Sequence, residues 1–182
     1  MKEDALWYEA AYVVGVTNAL NVVADGLPAD VLPPVSEAAA HAETRAVIDA
    51  IRTFYGEVPA PFLTIAHDPR YLGDLWAAIR HAFDDGRLTR RLKEALAFAV
   101  SLTTRSSFGT RLHAAQLRRL GVGEGGVMEV VGVAQMFSSY TKIADTLQLT
   151  SDMGDIAPAD PAPAPGGRVA RPSTVRLRRE RR

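Results

Sequence analysis

SLTTRSSFGTRLHAAQLRRLG, residues 101–121, runs from the end of one helix through a short polar turn into a second helix that Gly121 closes. Gly109, His113, Leu117 and Leu120 stand at i, i+4, i+8 and i+11, so they share one face, with Ser106 just below it at the N-terminal end. His113 is therefore expected to point where the apolar residues point. Upstream, LKEALAFAVSL (92–102) carries Glu94, a charged residue in an otherwise apolar segment, on the face of Phe98 and Ser101. An antiparallel pair of helices joined at 104–106 would bring Glu94 and His113 within reach of each other.

Outward from this hairpin, apolar positions recur at helical spacing nearly everywhere in residues 1–149, and no strand-length alternating run bounded by turns stands out. The spacing predicts helices near Ala5–Ala24, Glu37–Phe54, Tyr71–Phe83, Thr89–Thr103, Ser107–Leu120 and Val127–Leu147, with a short helical turn around Phe62–Ala66. The breaks are chemically explicit: GLP and LPPVS around 26–36, YGEVPAP at 55–61, HDP at 67–69, DDG at 84–86 and GVGEGG at 121–126. The expected fold class is all-α, a bundle of roughly six helices.

A chain of 182 residues, 47% apolar and 23% charged, is long enough for one domain with a real core. It contains no cysteine, which excludes disulfides, thiolate nucleophiles, CxxC redox pairs and Cys-ligated zinc. The N-terminus places Glu3 and Asp4 before an apolar segment that also carries Glu9, neither a signal sequence nor a span of about 20 uncharged residues. A cytoplasmic protein without membrane contact is expected. Net charge is zero, but Arg168–Arg182 holds seven arginines against Glu180 alone, behind the Pro/Ala/Gly run DIAPADPAPAPGG. Residues 150–182 thus read as a disordered linker and a solvated basic tail. Without aromatic interleaving or a basic fold behind it, the tail does not point to nucleic acid.

The chain also resembles itself. A shift of 120 residues lays EAAYVVGVTNALNVVADGL (9–27) on EVVGVAQMFSSYTKIADTL (129–147), with five identities in nineteen positions: Glu9/Glu129, Val13/Val133, Ala24/Ala144, Asp25/Asp145 and Leu27/Leu147. The reading is a weak internal repeat. Residues 1–36 would then be the last helix of a preceding repeat plus a Pro-rich turn, and 37–149 a complete second one. The first helix must bury its broad apolar face on that repeat or on another subunit.

In order and spacing, Glu94, Ser106, Gly109 and His113, followed by LRRLGV, a helix beginning EVV and a closing IAD-x-L, resemble the carboxymuconolactone decarboxylase and alkylhydroperoxidase family. FYGEVPAPFLTIAHDPRYLGDLW (54–76) is similar to the connecting segment of its peroxidase-related members, so the likeness spans roughly 42–149. Peroxidase members carry Glu, then Cys-x-x-Cys, then His, and the two cysteine positions of that pattern are Ser106 and Gly109 here. The position between them that is sometimes a second histidine is Phe108. The resemblance implies a trimer or hexamer of helical protomers. Its peroxidase chemistry needs a helix-N-terminal thiolate and a resolving thiol, and a serine and a glycine supply neither.

Two readings follow. One is a domain without peroxidase activity that serves as an oligomeric scaffold or small-molecule-binding protein. The other is a cofactor-free decarboxylase or isomerase acting on small lactones or carboxylic acids, with Glu94 orienting His113 and His113 moving a proton. Beside both stands a bland account: a buried Glu–His pair that only fixes helix register. No cofactor and no metal are expected, because no two histidines stand at ligand spacing with a carboxylate. His67 is read as a local turn partner, His41 as part of a polar helix start, and His81 as lying on a mixed face. Trp76, Phe54, Tyr55 and Phe62 read as core, and Glu124 and Glu129 as dipole-stabilising residues at a helix start.

Overall fold

The computed structural model describes residues 4–150. Among these the chain forms seven α-helices and no strand: α1 (Asp4–Gly26), α2 (Ala42–Tyr55), α3 (Ala60–Ile65), α4 (Pro69–Phe83), α5 (Arg90–Thr103), α6 (Ser107–Arg119) and α7 (Glu124–Thr146), with a 3-10 turn at Glu37–Ala39. The linker and arginine-rich tail expected at 150–182 lie, from Ser151 on, outside the described residues.

Helix boundaries follow local chemistry. Pro69 opens α4 behind Asp68, whose carboxylate accepts the Tyr71 N–H at 3.0 Å. The Thr89 hydroxyl accepts the Leu92 N–H at the start of α5, and the Ser106 hydroxyl accepts the Gly109 N–H at the start of α6. Gly56 ends α2 in the left-handed region at φ 91°, where its N–H meets the Arg52 carbonyl. The single helix expected over Glu37–Phe54 is instead broken. Ala40 and His41 are extended, the buried Ala40 lends its carbonyl to Arg45 Nε at 2.9 Å, and α2 starts only at Ala42. The short turn expected around Phe62–Ala66 is the six-residue α3, which explains why there are seven α-helices rather than about six.

The core is built from one face each of α1, α2 and α4, closed by α3 and α5. Ile48, Ile51, Phe62, Leu72, Ile79 and Phe83 are essentially inaccessible. Each such side chain contributes about 1.5–3 kcal/mol by leaving water. Phe54, Tyr55, Phe62 and Trp76 form one edge-to-face and tilted cluster with centroid spacings of 4.9–6.4 Å, consistent with the core role read from sequence. Helix α5 lies at the centre, touching α1, α4, α6 and α7.

Two helices flank α5 in unlike ways. Helix α1 packs on α3, α4, α5 and α6 and buries Val13, Val16, Thr17, Leu20 and Asn21. Its Glu9 carboxylate also accepts the N–H groups of Arg87 and Leu88 at 3.0 and 3.1 Å and faces Lys93 Nζ at 3.2 Å. Helix α7 has no buried residue.

Candidate functional site

Arg105 sets the α5–α6 hairpin. At φ 60° it takes the left-handed conformation that reverses the chain within one residue, and the next amide, Ser106 N–H, returns to the Ser101 carbonyl at 2.9 Å. The left-handed region is unusual for a residue with a side chain. The reversal lays α6 along α5, and Glu94 and His113 meet as their spacing predicted.

His113 Nδ1 lies 2.7 Å from Glu94 Oε2, with the two residues 2% and 0% exposed. The other carboxylate oxygen, Oε1, accepts Arg90 Nε at 2.7 Å and a second guanidinium N–H, so Glu94 is held from both sides. A carboxylate this deep needs such partners, because desolvation without compensation costs several kcal/mol. Phe83 stacks on the His113 ring at 5.8 Å with a 13° interplanar angle. The Arg90 guanidinium lies over Phe54, 3.8 Å from the ring centroid. Tyr55 is buried within the field of the Arg90–Glu94 ion pair. Burial raises its phenol far above the usual range, and the Glu94 carboxylate adds to the rise while Arg90 opposes it. Nδ1 being turned to Glu94, Nε2 is the nitrogen left to face away from it.

Ser106 and Gly109, the positions that the family likeness sets against cysteines, are occupied in a way that the sequence does not announce. Ser106 caps α6 and donates its hydroxyl proton to Asp25 Oδ2, while Asp25 Oδ1 accepts the Phe108 N–H at 3.4 Å. The carboxylate of α1 thus sits at the α6 N-terminus, where the helix dipole favours negative charge. Gly109 is filled by other residues: a Cβ there would lie 2.2 Å from Asn21 Oδ1 and 2.4 Å from Ser101 Oγ. Asn21 Nδ2 donates to Ser101 Oγ at 3.1 Å and Ser101 donates to the Ala97 carbonyl at 2.9 Å, which ties the two side chains to each other and to α5, while Asn21 Oδ1 itself has no hydrogen-bond partner among the described residues. Asn21 of α1 and Ser101 of α5 thus fill the space that a side chain at Gly109 would need.

Sequence reasoning brought Glu94, His113, Ser106 and Gly109 to one hairpin but missed Arg90, Phe83, Asn21, Asp25 and Ser101. Arg90 was legible as an i, i+4 partner of Glu94. Asn21 and Thr17, polar residues on the buried face of α1, were a signal of a different kind. The remaining histidines stand apart. His67 Nε2 meets the Pro33 carbonyl at 2.8 Å, a contact distant in sequence rather than within its own turn. His81 packs edge-on against Tyr12, and His41 precedes α2 without a side-chain cap. Glu124 lies in the first turn of α7, whereas Glu129 lies a turn further along and lines a groove beside α5. No group of three or more metal-ligating side chains occurs among the described residues.

A capped two-helix hairpin with an inward Glu–His pair, set in an all-helical bundle, makes up an alkylhydroperoxidase-like helical fold. Residues 69–152 match the model of the carboxymuconolactone decarboxylase family. The fold is similar to the crystal structure of the alkylhydroperoxidase AhpD core from Rhodospirillum rubrum ATCC 11170. The TM-score is 0.57 at 24% identity, over 61% of this chain and 84% of that one. Among curated proteins nothing matches. The chain contains no cysteine, and over residues 69–152 it is similar to the carboxymuconolactone decarboxylase family, with an alkylhydroperoxidase-like helical fold.

Proposed function

We propose that this domain performs no thiol-peroxidase chemistry and serves as an oligomeric scaffold in the cytoplasm, with the Arg90–Glu94–His113 knot as its structural polar core. The observation that carries this reading is the double occupation of the redox positions. Asn21 and Ser101 fill the space at Gly109, and Asp25 holds Ser106. Neither position has a sulfur to oxidise, and a side chain at Gly109 would meet the side chains of Asn21 and Ser101. The trimer or hexamer that the family likeness suggests belongs to the same reading, as does the division into an N-terminal helix and turn, a helical domain and a tail. The test is reduction of an organic hydroperoxide by the purified protein in the presence of a dithiol. The expected rate equals that of the reductant alone, and turnover abolished by His113→Ala would overturn the reading.

A second reading rests on the geometry of the pair itself. A carboxylate on Nδ1 orients a histidine as a general base at Nε2, which suits cofactor-free decarboxylation or isomerisation of a small lactone or carboxylic acid. At 2% exposure His113 can meet a substrate only after an opening of the fold. Its test is a panel of lactone-acids assayed with the wild type, His113→Ala and Glu94→Gln. Activity lost in both variants with the helical signal intact supports this reading, and an inert wild type sinks it. A small-molecule-binding role has a place nearby, a cavity of about 440 Å³ behind α6 lined by Pro59, Phe108, Arg111 and Leu112.

A further inference from the structure

The internal repeat and the burial pattern meet in one place. On α1 the buried residues include Val13, Val16, Thr17 and Leu20, and these seat the helix on the core. The shift of 120 residues carries them to Val133, Met136, Phe137 and Tyr140 of α7. Those four are 59%, 55%, 67% and 60% exposed. One helix of the pair has its seat inside the chain, and its counterpart presents the equivalent face to solvent. Four large apolar side chains on adjacent turns form the kind of contiguous patch that soluble proteins seldom leave bare.

We infer that the Val133–Met136–Phe137–Tyr140 face of α7 is the surface on which a second copy of this chain docks; the inference rests on the oligomeric-scaffold reading and gives it a location. Two features favour a copy of the same chain over a different partner. Residues 130–141 contain no charged side chain, so the face meets its own image without like-charge repulsion. The patch also continues into an apolar groove of about 610 Å³ along α5, which exposed Val14 and Leu92 help to line, so ridge and receiving surface lie side by side on one protomer. A ridge beside a receiving groove lets each copy give what it receives, either about a two-fold axis or head to tail around a closed ring. The arginine-rich tail is a poor occupant, because seven of its last fifteen residues are cations that the groove, with Glu129 as its only acid, cannot pair.

The experiment compares the full chain with Val133→Ser/Phe137→Ser and with Phe137→Glu by sedimentation velocity at micromolar concentration. The wild type is expected to sediment as a dimer or larger multiple, and each variant to self-associate at least roughly tenfold more weakly at unchanged helical content. A monomeric wild type would overturn both this inference and the oligomeric reading. A wild-type oligomer that both variants preserve would overturn this inference alone. Because the chain has no cysteine, a placed thiol gives an independent check that does not depend on the variants' folding. Tyr140→Cys should be captured as a covalent multimer by a short bismaleimide, whereas Arg70→Cys, whose parent side chain is 94% exposed on α4, should not. Equal capture at both positions would refute the assignment.

Discussion

Gly109→Ala separates helix propensity from close packing by the sign of its effect. Alanine inside a helix is ordinarily favoured over glycine by about 0.5–1 kcal/mol. Here the new methyl would fall 2.2 Å from Asn21 Oδ1 and 2.4 Å from Ser101 Oγ, so these side chains, which bond to each other, or the helices that carry them must shift. Overpacking of this kind costs about 1–3 kcal/mol. The net expectation is a loss of about 0.5–2 kcal/mol, or a Tm lower by about 1–8 °C for a chain of this length. Placed in an Asn21→Ala/Ser101→Ala background, where both intruding atoms are gone, the same substitution should stabilise by about 0.5–1 kcal/mol. Urea unfolding followed by helical circular dichroism gives the four corners of the cycle, and the coupling should be about 1–3 kcal/mol. A stabilising Gly109→Ala in the wild-type background would refute the close approach of α1, and with it the account of the missing sulfurs.

The same geometry governs any attempt to rebuild the thiol pair. Ser106→Cys/Gly109→Cys should yield little disulfide by mass shift after mild oxidation, and adding Asn21→Ala/Ser101→Ala should raise the yield. His113→Ala leaves the Glu94–Arg90 pair beside a cavity and should cost about 3 kcal/mol in urea unfolding, a figure typical of broken buried pairs. The backbone N–H groups of Arg87 and Leu88, aided by Lys93, hold Glu9 down at about 2, against 4.5 for a free glutamate. Its contribution is therefore present above pH 4.5 and is lost as pH falls from there towards 2. The Tm advantage of the wild type over Glu9→Gln should shrink through that window and stay level above it. Tyr55 behaves in the opposite sense. Burial keeps it neutral in the folded chain, so above pH 10, where an unfolded tyrosine ionises, the wild type should lose stability relative to Tyr55→Phe.

Much of the hairpin was legible because helical spacing is a local property. The i, i+4 and i+8 positions of Gly109, His113 and Leu117 fix one face whatever surrounds it, and Glu94 on the inner face of the preceding helix left His113 as its natural partner. The family likeness named the positions that lack sulfur. Neither source could say what replaced it, because Asn21 and Asp25 lie eighty or more residues from the atoms they meet. The break after Ala39 escaped for a related reason. EAAAHAETRAV has good helix formers throughout, and burial of Ala40 overrode local propensity.

What the sequence determined by itself is the helical class, the absence of any cysteine and the meeting of Glu94 with His113, since composition and periodicity are settled before any long-range contact forms. Only the tertiary structure decided that Asn21 of α1 fills the space beside Gly109 and that its counterpart α7 stands uncovered. Two stretches of nearly the same pattern have different fates because burial belongs to the seat and not to the helix. The core offers a place for Val13, Val16 and Leu20, and within one chain it offers none for Val133, Met136 and Tyr140.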